Sequence, residues 1–300
     1  MWINCLFPYL KTYSKEVNIA NFTGKVAAVD ASCWIHKGLA ISVSQTGKQK
    51  KFSQTFKRYL QLLIDSKITH IVVFDGKPLE AKAKENCRRQ RQRQEQLMNA
   101  TVDEQTKDED RNKMLSRSVE MNYDDVVECV KVCLSQGVTY IVSPYESDAQ
   151  LAFLVKQGYA DFAITEDSDL LVYGCKEILV KLRLNGDGEV FNLCDILDGL
   201  KVTMAQFVDG CVAAGCDYLK NIRGFGINKA FSFVKAGTLF DELRKKGASN
   251  DYECLFNKAV SVFMHQTVFN PTKLHVQPLG AWTEDPDKEL QDYCGVYPCT

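Results

Sequence analysis

Almost no net charge remains on this chain of 300 residues, because 37 Lys and Arg face 38 Asp and Glu and leave −1. A general attraction to polyanions is thereby excluded, and any nucleic-acid binding has to come from local basic patches. Long apolar runs are missing too, and without about 18 consecutive apolar residues no membrane-spanning helix is expected. The N-terminal MWINCLFPYLK has neither a basic leader nor a long apolar core, which argues against a secretory signal. Histidine is scarce, with four scattered residues, and none of the twelve Cys residues forms a CxxC pair. Zinc needs ligands clustered at short spacing, so free buried thiols in a reducing compartment are expected over zinc or disulfides. Neither an internal repeat nor a low-complexity linker interrupts the chain. What is left, 45% hydrophobic and 25% charged, suits a soluble protein of one large domain or two smaller ones.

The most informative stretch is TYIVSPYESDAQLAFLVKQGYADFAITEDSDLLVYG, residues 139–174. Residues 139–143 have the β-branched and aromatic composition of a buried strand, and Pro144 ends it. A helical pattern follows that begins with Glu146 and Asp148. Acids in a first helical turn also have an ordinary explanation, since they complement the helix dipole. A second strand, residues 162–165, runs into Glu166, Asp167 and Asp169. Strand, helix and strand make a βαβ unit with parallel strands, whose carboxyl ends share one edge of the sheet. Two acidic pairs thus collect at one rim, which capping alone does not explain.

The same pattern recurs along the chain. KVAAVDA ends on Asp30, with CWIHKG opening a helix, and HIVVFDG ends on Asp75. Residues 52–64 carry Phe56, Tyr59, Leu60, Leu63 and Ile64 at helical spacing. Between residues 77 and 118 charges of both signs replace large apolar residues, so this part reads as a solvated helical excursion or lid. Within it Lys82 and Arg89 lie seven apart, on one face of the expected helix, with Arg88, Arg91 and Arg93 thickening the positive patch. Residues 119–134 read as an amphipathic helix, and the Asn-Gly-Asp-Gly turn at 185–188 signals a hairpin between 178–184 and 190–193. A seventh acid, Asp217, precedes LKNIRGFGINKA, where Gly224 and Gly226 separate two helical patterns. Free backbone N–H groups at such a turn suit a phosphate, although a lone GxG equally suits a plain helix corner.

Seven carboxylates on one rim cannot all stay ionised unaided, since two like charges ~4 Å apart repel by about 4 kcal/mol at an effective dielectric near 20. Either their pKa values rise or hard cations neutralise them. An all-oxygen set favours Mg²⁺ or Mn²⁺, and so many acids suggest two ions. With basic patches on either side, the expected chemistry is metal-assisted hydrolysis of a phosphodiester in nucleic acid.

The segments AVDASCWIHKG, VFDG, PYESDAQLA, AITEDSDLLVYGC and GCDYLKNIRGFGINKA, with an echo in QTVFNPTKLHVQPL, span nearly the whole chain. In them the chain resembles the flap endonuclease/XPG-type 5′-nuclease superfamily, and within it the eukaryotic exonuclease 1 branch. The resemblance implies an α/β, PIN-like fold: a mixed, mostly parallel sheet flanked by helices, with a helical arch and a helix–two-turn–helix element. It implies one nuclease core over 1–300, with nuclease regions at 1–99 and 138–206, a basic arch at 77–122 and the helix–two-turn–helix region at 207–270. It assigns Asp30, Asp75, Glu146, Asp148, Asp167, Asp169 and Asp217 to two Mg²⁺ ions, for which Mn²⁺ can substitute, and leaves Glu166 out. Lys82 and Arg89 match the pair that steers the scissile phosphate, and His36 matches a base-stacking position. Arg88, Arg223, Gly224, Gly226 and Lys229 are implied contacts to DNA, and Asn221 an implied ligand of a monovalent cation such as K⁺. The implied activity is 5′→3′ exonuclease and 5′-flap cleavage of duplex DNA with recessed ends, nicks or flaps, by a nuclear, monomeric repair enzyme. Mismatch-repair proteins are implied partners through a polar tail that this sequence does not include.

Departures from the resemblance fall near the substrate end. The family begins Met-Gly and has a second early Gly, where this chain has Trp2 and Cys5, and Ser32 replaces an aromatic residue. None is an expected ligand, so they bear on handling of the 5′ end. A catalytically weak DNA-junction binding protein and a mainly flap-cutting endonuclease are the competing readings.

Overall fold

Strand β2 (Val26–Asp30) sits inside a seven-stranded sheet in the order β1-β7-β6-β5-β2-β3-β4. The other strands are β1 (Lys15–Asn18), β3 (Thr69–Phe74), β4 (Thr139–Val142), β5 (Phe162–Ile164), β6 (Glu177–Val180) and β7 (Asp187–Asn192). The computed structural model describes residues 3, 5–46, 52–102, 115–116 and 119–296. Trp2 and much of the expected 77–122 arch lie outside the described residues.

Pairs β2–β3, β2–β5, β3–β4 and β5–β6 are parallel, while β7 pairs antiparallel with β6 and β1. The expected mixed, mostly parallel sheet is therefore present. Alternating residues of its strands feed two apolar layers, because successive side chains point to opposite faces. Ala28, Val73, Ala163 and Ile178 pack under the helices Ser147–Lys156, Met204–Ala214 and Tyr252–His265. Ala27, Val29, Val72, Phe74, Phe162 and Ile164 pack under Ala31–Thr46, Phe52–Asp65 and Tyr123–Gln136. A strand covered on both faces needs small and β-branched residues throughout, which is why VAAVD reads as a continuous apolar run.

The structure adds detail to three expectations. The βαβ unit at 139–165 is parallel, but β3 and β2 lie between its two strands, so the Ser147–Lys156 helix crosses over both. The helix placed at 119–134 begins later, at Tyr123, where Asn122 and Asp125 form a capping box, and it ends at Gly137 with φ 65°. A second, two-stranded sheet, β8 (Thr267–Asn270) with β9 (His275–Pro278), stands where only a sequence echo was noted.

Chain order reverses beside β2: β3 and β4 follow on one side, β5 and β6 on the other. That is a topological switch point, where open α/β sheets leave a crevice beyond the carboxyl ends of their strands.

Candidate active site

Asp30 ends β2 at this switch point and is only 6% exposed. Its carboxylate accepts hydrogen bonds from Ser32 N (3.0 Å), Cys33 Sγ (3.1 Å) and Thr165 Oγ1 (3.1 Å). Burial, with the neighbouring Asp75 charge adding to it, pushes the Asp30 pKa up to about 6. Asp75 follows β3 and accepts from Ser32 Oγ (2.6 Å) and Ser147 N (2.8 Å). The next residue, Gly76, permits a close approach, since a Cβ there would sit 1.8 Å from the Ser143 carbonyl oxygen.

Glu146 and Asp148 lie at the start of the Ser147–Lys156 helix, and Asp167 and Asp169 in the turn after β5. Asp169 N donates to Asp167 Oδ1 (2.9 Å), and Asp169 Oδ1 accepts from Ile3 N (3.1 Å). The extreme N-terminal backbone thus reaches the acidic rim. Burial raises the pKa of Asp148 and of Asp169 well above the usual carboxylate range, and the nearby Asp167 adds to both.

Positive charge enters from one side. Lys82 Nζ lies 2.7 Å from Glu146 Oε2 and 3.1 Å from Asp217 Oδ2, and Arg89 NH2 lies 2.7 Å from Asp217 Oδ2. Burial alone would lower the Lys82 pKa, but Glu146, Asp217 and Asp148 outweigh it and raise it. Burial likewise pushes Asp217 up, yet Lys82 and Arg89 hold it below its ordinary value. Glu146 stays raised, because burial outweighs its partner Lys82.

Lys82 and Arg89 do meet at one carboxylate, though not by sharing a helix face. Lys82 closes the 3₁₀ turn Glu80–Lys82, whereas Arg89 lies inside the helix Ala83–Val102. Glu85 went unnoticed in the sequence: its Oε1 lies 2.8 Å from Arg89 Nε and aims the guanidinium at Asp217. The signal was its i, i+4 spacing. Arg88 is turned to Glu85 as well (2.6 Å), and Arg93 to Glu120 (3.0 Å). Glu166 lines the same cleft but is engaged by Lys37 and Lys181, with Oε1 2.5 Å from Lys37 Nζ and 3.1 Å from Lys181 N.

Asp30, His36, Asp75, Lys82, Arg89 and Asp148 line a cleft of about 630 Å³. Among the described residues no three carboxylate, imidazole or thiol groups are drawn together tightly enough to grip one ion as they stand. Five of the seven acids, Asp30, Asp75, Glu146, Asp148 and Asp167, line the cleft, while Asp169 adjoins it through Asp167 and Asp217 through Lys82 and Arg89. Their chemistry nonetheless fits hard divalent cations: every donor is a carboxylate oxygen, and burial leaves Asp30, Asp148 and Asp169 short of positive charge.

Asn221 to Lys229 form a separate element. Gly224 has φ +78°, and Gly226 precedes the helix Ile227–Ala236. Asn221 Nδ2 donates to the Phe225 carbonyl (3.0 Å) and Lys229 Nζ to the Gly224 carbonyl (3.0 Å), while buried Phe225 anchors the turn. Arg223, Gly224, Gly226 and Lys229 are exposed on it.

The XPG N-terminal domain matches residues 1–96, and the XPG I-region matches residues 137–217. Exonuclease 1 of Xenopus laevis is 33% identical over 315 aligned positions, covering 98% of this chain and 43% of the relative. Flap endonuclease 1 of Aedes aegypti is 31% identical over 303 positions, covering 94% of this chain and 77% of the relative. Among solved structures, the catalytic core of Rad2 in complex with DNA substrate superposes with a TM-score of 0.68 at 19% identity, covering 92% of this chain and 90% of that one. The chain spans about two fifths of the length of the exonuclease 1 relatives it matches. With both regions matched, and with a flap endonuclease relative covered over most of its length, the chain belongs to the XPG/flap endonuclease family.

Proposed function

We propose that this chain is a metal-dependent 5′ nuclease that degrades duplex DNA 5′→3′ from recessed ends and nicks and also cuts 5′ flaps. The observation that supports this reading is the set of acids in the cleft at the sheet's switch point, Asp30, Asp75, Glu146, Asp148 and Asp167, with Lys82 and Arg89 between Glu146 and the adjoining Asp217. Asp30, Asp75, Glu146, Asp148, Asp167, Asp169 and Asp217 are the residues that would hold two Mg²⁺ ions, with Mn²⁺ able to replace them. Bound there, such ions supply a hydroxide nucleophile and offset the charge that develops on the phosphate. A solved GEN1 structure of this fold contains product DNA and Mg²⁺.

The chain's own groups do the rest. Lys82 and Arg89, held by Glu146, Asp217 and Glu85, present fixed positive charge on the cleft wall and orient the scissile phosphate. His36 lies on the cleft wall, where its imidazole can stack on a base of the opened end. Arg223, Gly224, Gly226 and Lys229 grip the duplex backbone through a helix N-terminus and two cations. Asn221 is the side chain on that turn suited to a monovalent cation such as K⁺. Arg88 adds to the basic face of the arch. On this reading 1–99 and 138–206 form the nuclease body of a single core, 77–122 the arch and 207–270 the duplex-gripping region. DNA repair in the nucleus is the setting that fits such a substrate, with mismatch-repair proteins as partners. Monomeric action suits a cleft built from one chain.

The test is cleavage of 5′-recessed and 5′-flap duplexes in Mg²⁺, compared with binding of the same DNA in Ca²⁺. Wild type is expected to cut both. Asp167→Asn should lose at least about 10³-fold in turnover, as removal of a central electrostatic group does, with binding retained. Turnover near that of wild type in this variant overturns the assignment.

A further inference from the structure

Beneath the Lys82 clamp runs a buried chain of polar groups that the proposed chemistry does not use. Tyr173 OH donates to Gln266 Oε1 (2.6 Å) and lies 2.5 Å from Tyr218 OH. Its single proton is committed to Gln266, so Tyr218 is the donor in that pair. Gln266 Nε2 then donates to the backbone carbonyl of Glu146 (3.3 Å). The amide orientation follows from its neighbours, one a hydroxyl donor and the other a carbonyl acceptor. Gln266 is fully buried and Tyr173 nearly so. Phe263, one helical turn before Gln266, packs edge-on against both tyrosines, with centroids 5.0 and 5.1 Å away.

The path is attached to three acid-bearing segments. Tyr218 follows Asp217, and Tyr173 closes the short helix that Asp169 begins. Gln266 holds the carbonyl of Glu146 itself. Three of the seven acids are therefore tied through one hydrogen-bonded path, and two of them, Glu146 and Asp217, are the partners of Lys82. Hydroxyls and an amide are costly to bury unless satisfied, and an apolar core would fill the same space without them.

We propose that Tyr218, Tyr173 and Gln266 are positioning residues: their hydrogen-bonded path fixes the separation of Glu146, Asp169 and Asp217, and through it the placement of Lys82 and of the bound divalent ions. This rests on the nuclease reading above. The three side chains touch neither substrate nor reacting atoms, so they act on geometry alone, and geometry governs turnover more than binding.

Tyr173→Phe deletes the central hydroxyl and keeps the ring. Single-turnover cleavage of a 5′-recessed duplex is expected to fall about tenfold, equivalent to about 1.4 kcal/mol. Affinity for the same DNA in Ca²⁺ should change by less than about twofold, because the side-chain hydrogen bonds that hold the Asn221–Lys229 turn are internal to it. In the absence of DNA, the Mg²⁺ midpoint, the concentration that half-saturates the site as read from the rise of Tm with Mg²⁺, should increase about fivefold, by mass action on a misplaced site. Tyr218→Phe should have a smaller effect. The double variant should match Tyr173→Phe within about twofold, since both lie on one path. Tyr252→Phe, whose buried hydroxyl has no hydrogen-bond partner among the described residues, and Leu243→Val, a buried residue of the helix Leu239–Lys245, are controls for hydroxyl loss and for lost stability. A lower Tm in Tyr173→Phe with unchanged cleavage rate and Mg²⁺ midpoint, as in the controls, overturns the proposal, as does additivity of the two tyrosine variants. If wild type cuts no DNA, the nuclease reading falls, and the Mg²⁺ midpoint alone then decides the path. No thermal response to Mg²⁺ in wild type overturns both.

Discussion

Arg89 and Lys82 converge on one carboxylate of Asp217, and their surroundings separate their roles. Lys82 is almost fully buried between Glu146 and Asp217, so it also neutralises charge that would otherwise be stranded there. Arg89 is only partly buried and is steered by Glu85, which leaves part of its guanidinium facing the cleft. Arg89→Ala is therefore expected to lower single-turnover cleavage about 10²-fold, the usual size for a lost electrostatic donor. DNA affinity should fall by less than about threefold, because one phosphate contact among many is removed. Should affinity drop while the single-turnover rate holds, Arg89 belongs to the general basic surface instead.

At the level of elements, the site was legible wherever a strand ran straight into an acid. Asp30, Asp75 and the 167–169 turn follow β-branched or apolar runs, and a parallel sheet brings such ends to one edge. Contacts made between distant elements were not legible. Nothing local in Lys82 shows that it ends a 3₁₀ turn rather than sitting on the arch helix, nor that Gln266 reaches the Glu146 carbonyl 120 residues away. Strand β1, KEVN, is short, polar and at the sheet edge, so its composition carries no strand signal. Cys5 gains its meaning from backbone geometry. It leads into the helix Leu6–Tyr9 at φ 63°, ψ 21°, the left-handed region where a Cβ costs roughly 1 kcal/mol. Cys5→Gly should thus raise Tm by about 1–3 °C, partly offset by the extra freedom of an unfolded Gly, while Cys5→Ala should give no gain. Calorimetry of the two variants checks this, and a Gly variant less stable than the Ala variant would refute it.

Across the whole molecule, the sheet collects acidic charge faster than Lys82 and Arg89 can offset it, and stability should register the difference. Asp30 has a folded-state pKa of about 6, above its ordinary 3.8. A raised folded-state value means that the fold favours the protonated form. Its contribution is full below about pH 4 and disappears as pH rises through about 6. Asp148, Asp169 and Glu146 are shifted upward as well, so they act with the same sign. Asp217 opposes them: its lowered pKa gives stability above its unfolded value that is lost as pH falls through the folded one. One carboxylate against four makes the net direction clear. In EDTA the protein should become less stable between pH 5.5 and pH 8. For Asp30 alone the full shift corresponds to about 3 kcal/mol, of which only about 0.8 kcal/mol, or roughly 1–2 °C in Tm, is lost between pH 5.5 and pH 8. On the proposed nuclease reading Mg²⁺ would bind the ionised acids, so its stabilising effect should be larger at pH 8 than at pH 5.5. Asp30→Asn cannot titrate and should flatten the EDTA profile while weakening the response to Mg²⁺. Scanning calorimetry at both pH values, with EDTA and with Mg²⁺, tests the set. A metal-free protein whose Tm holds or climbs from pH 5.5 to pH 8 would show that the acidic rim is already neutralised by the chain itself.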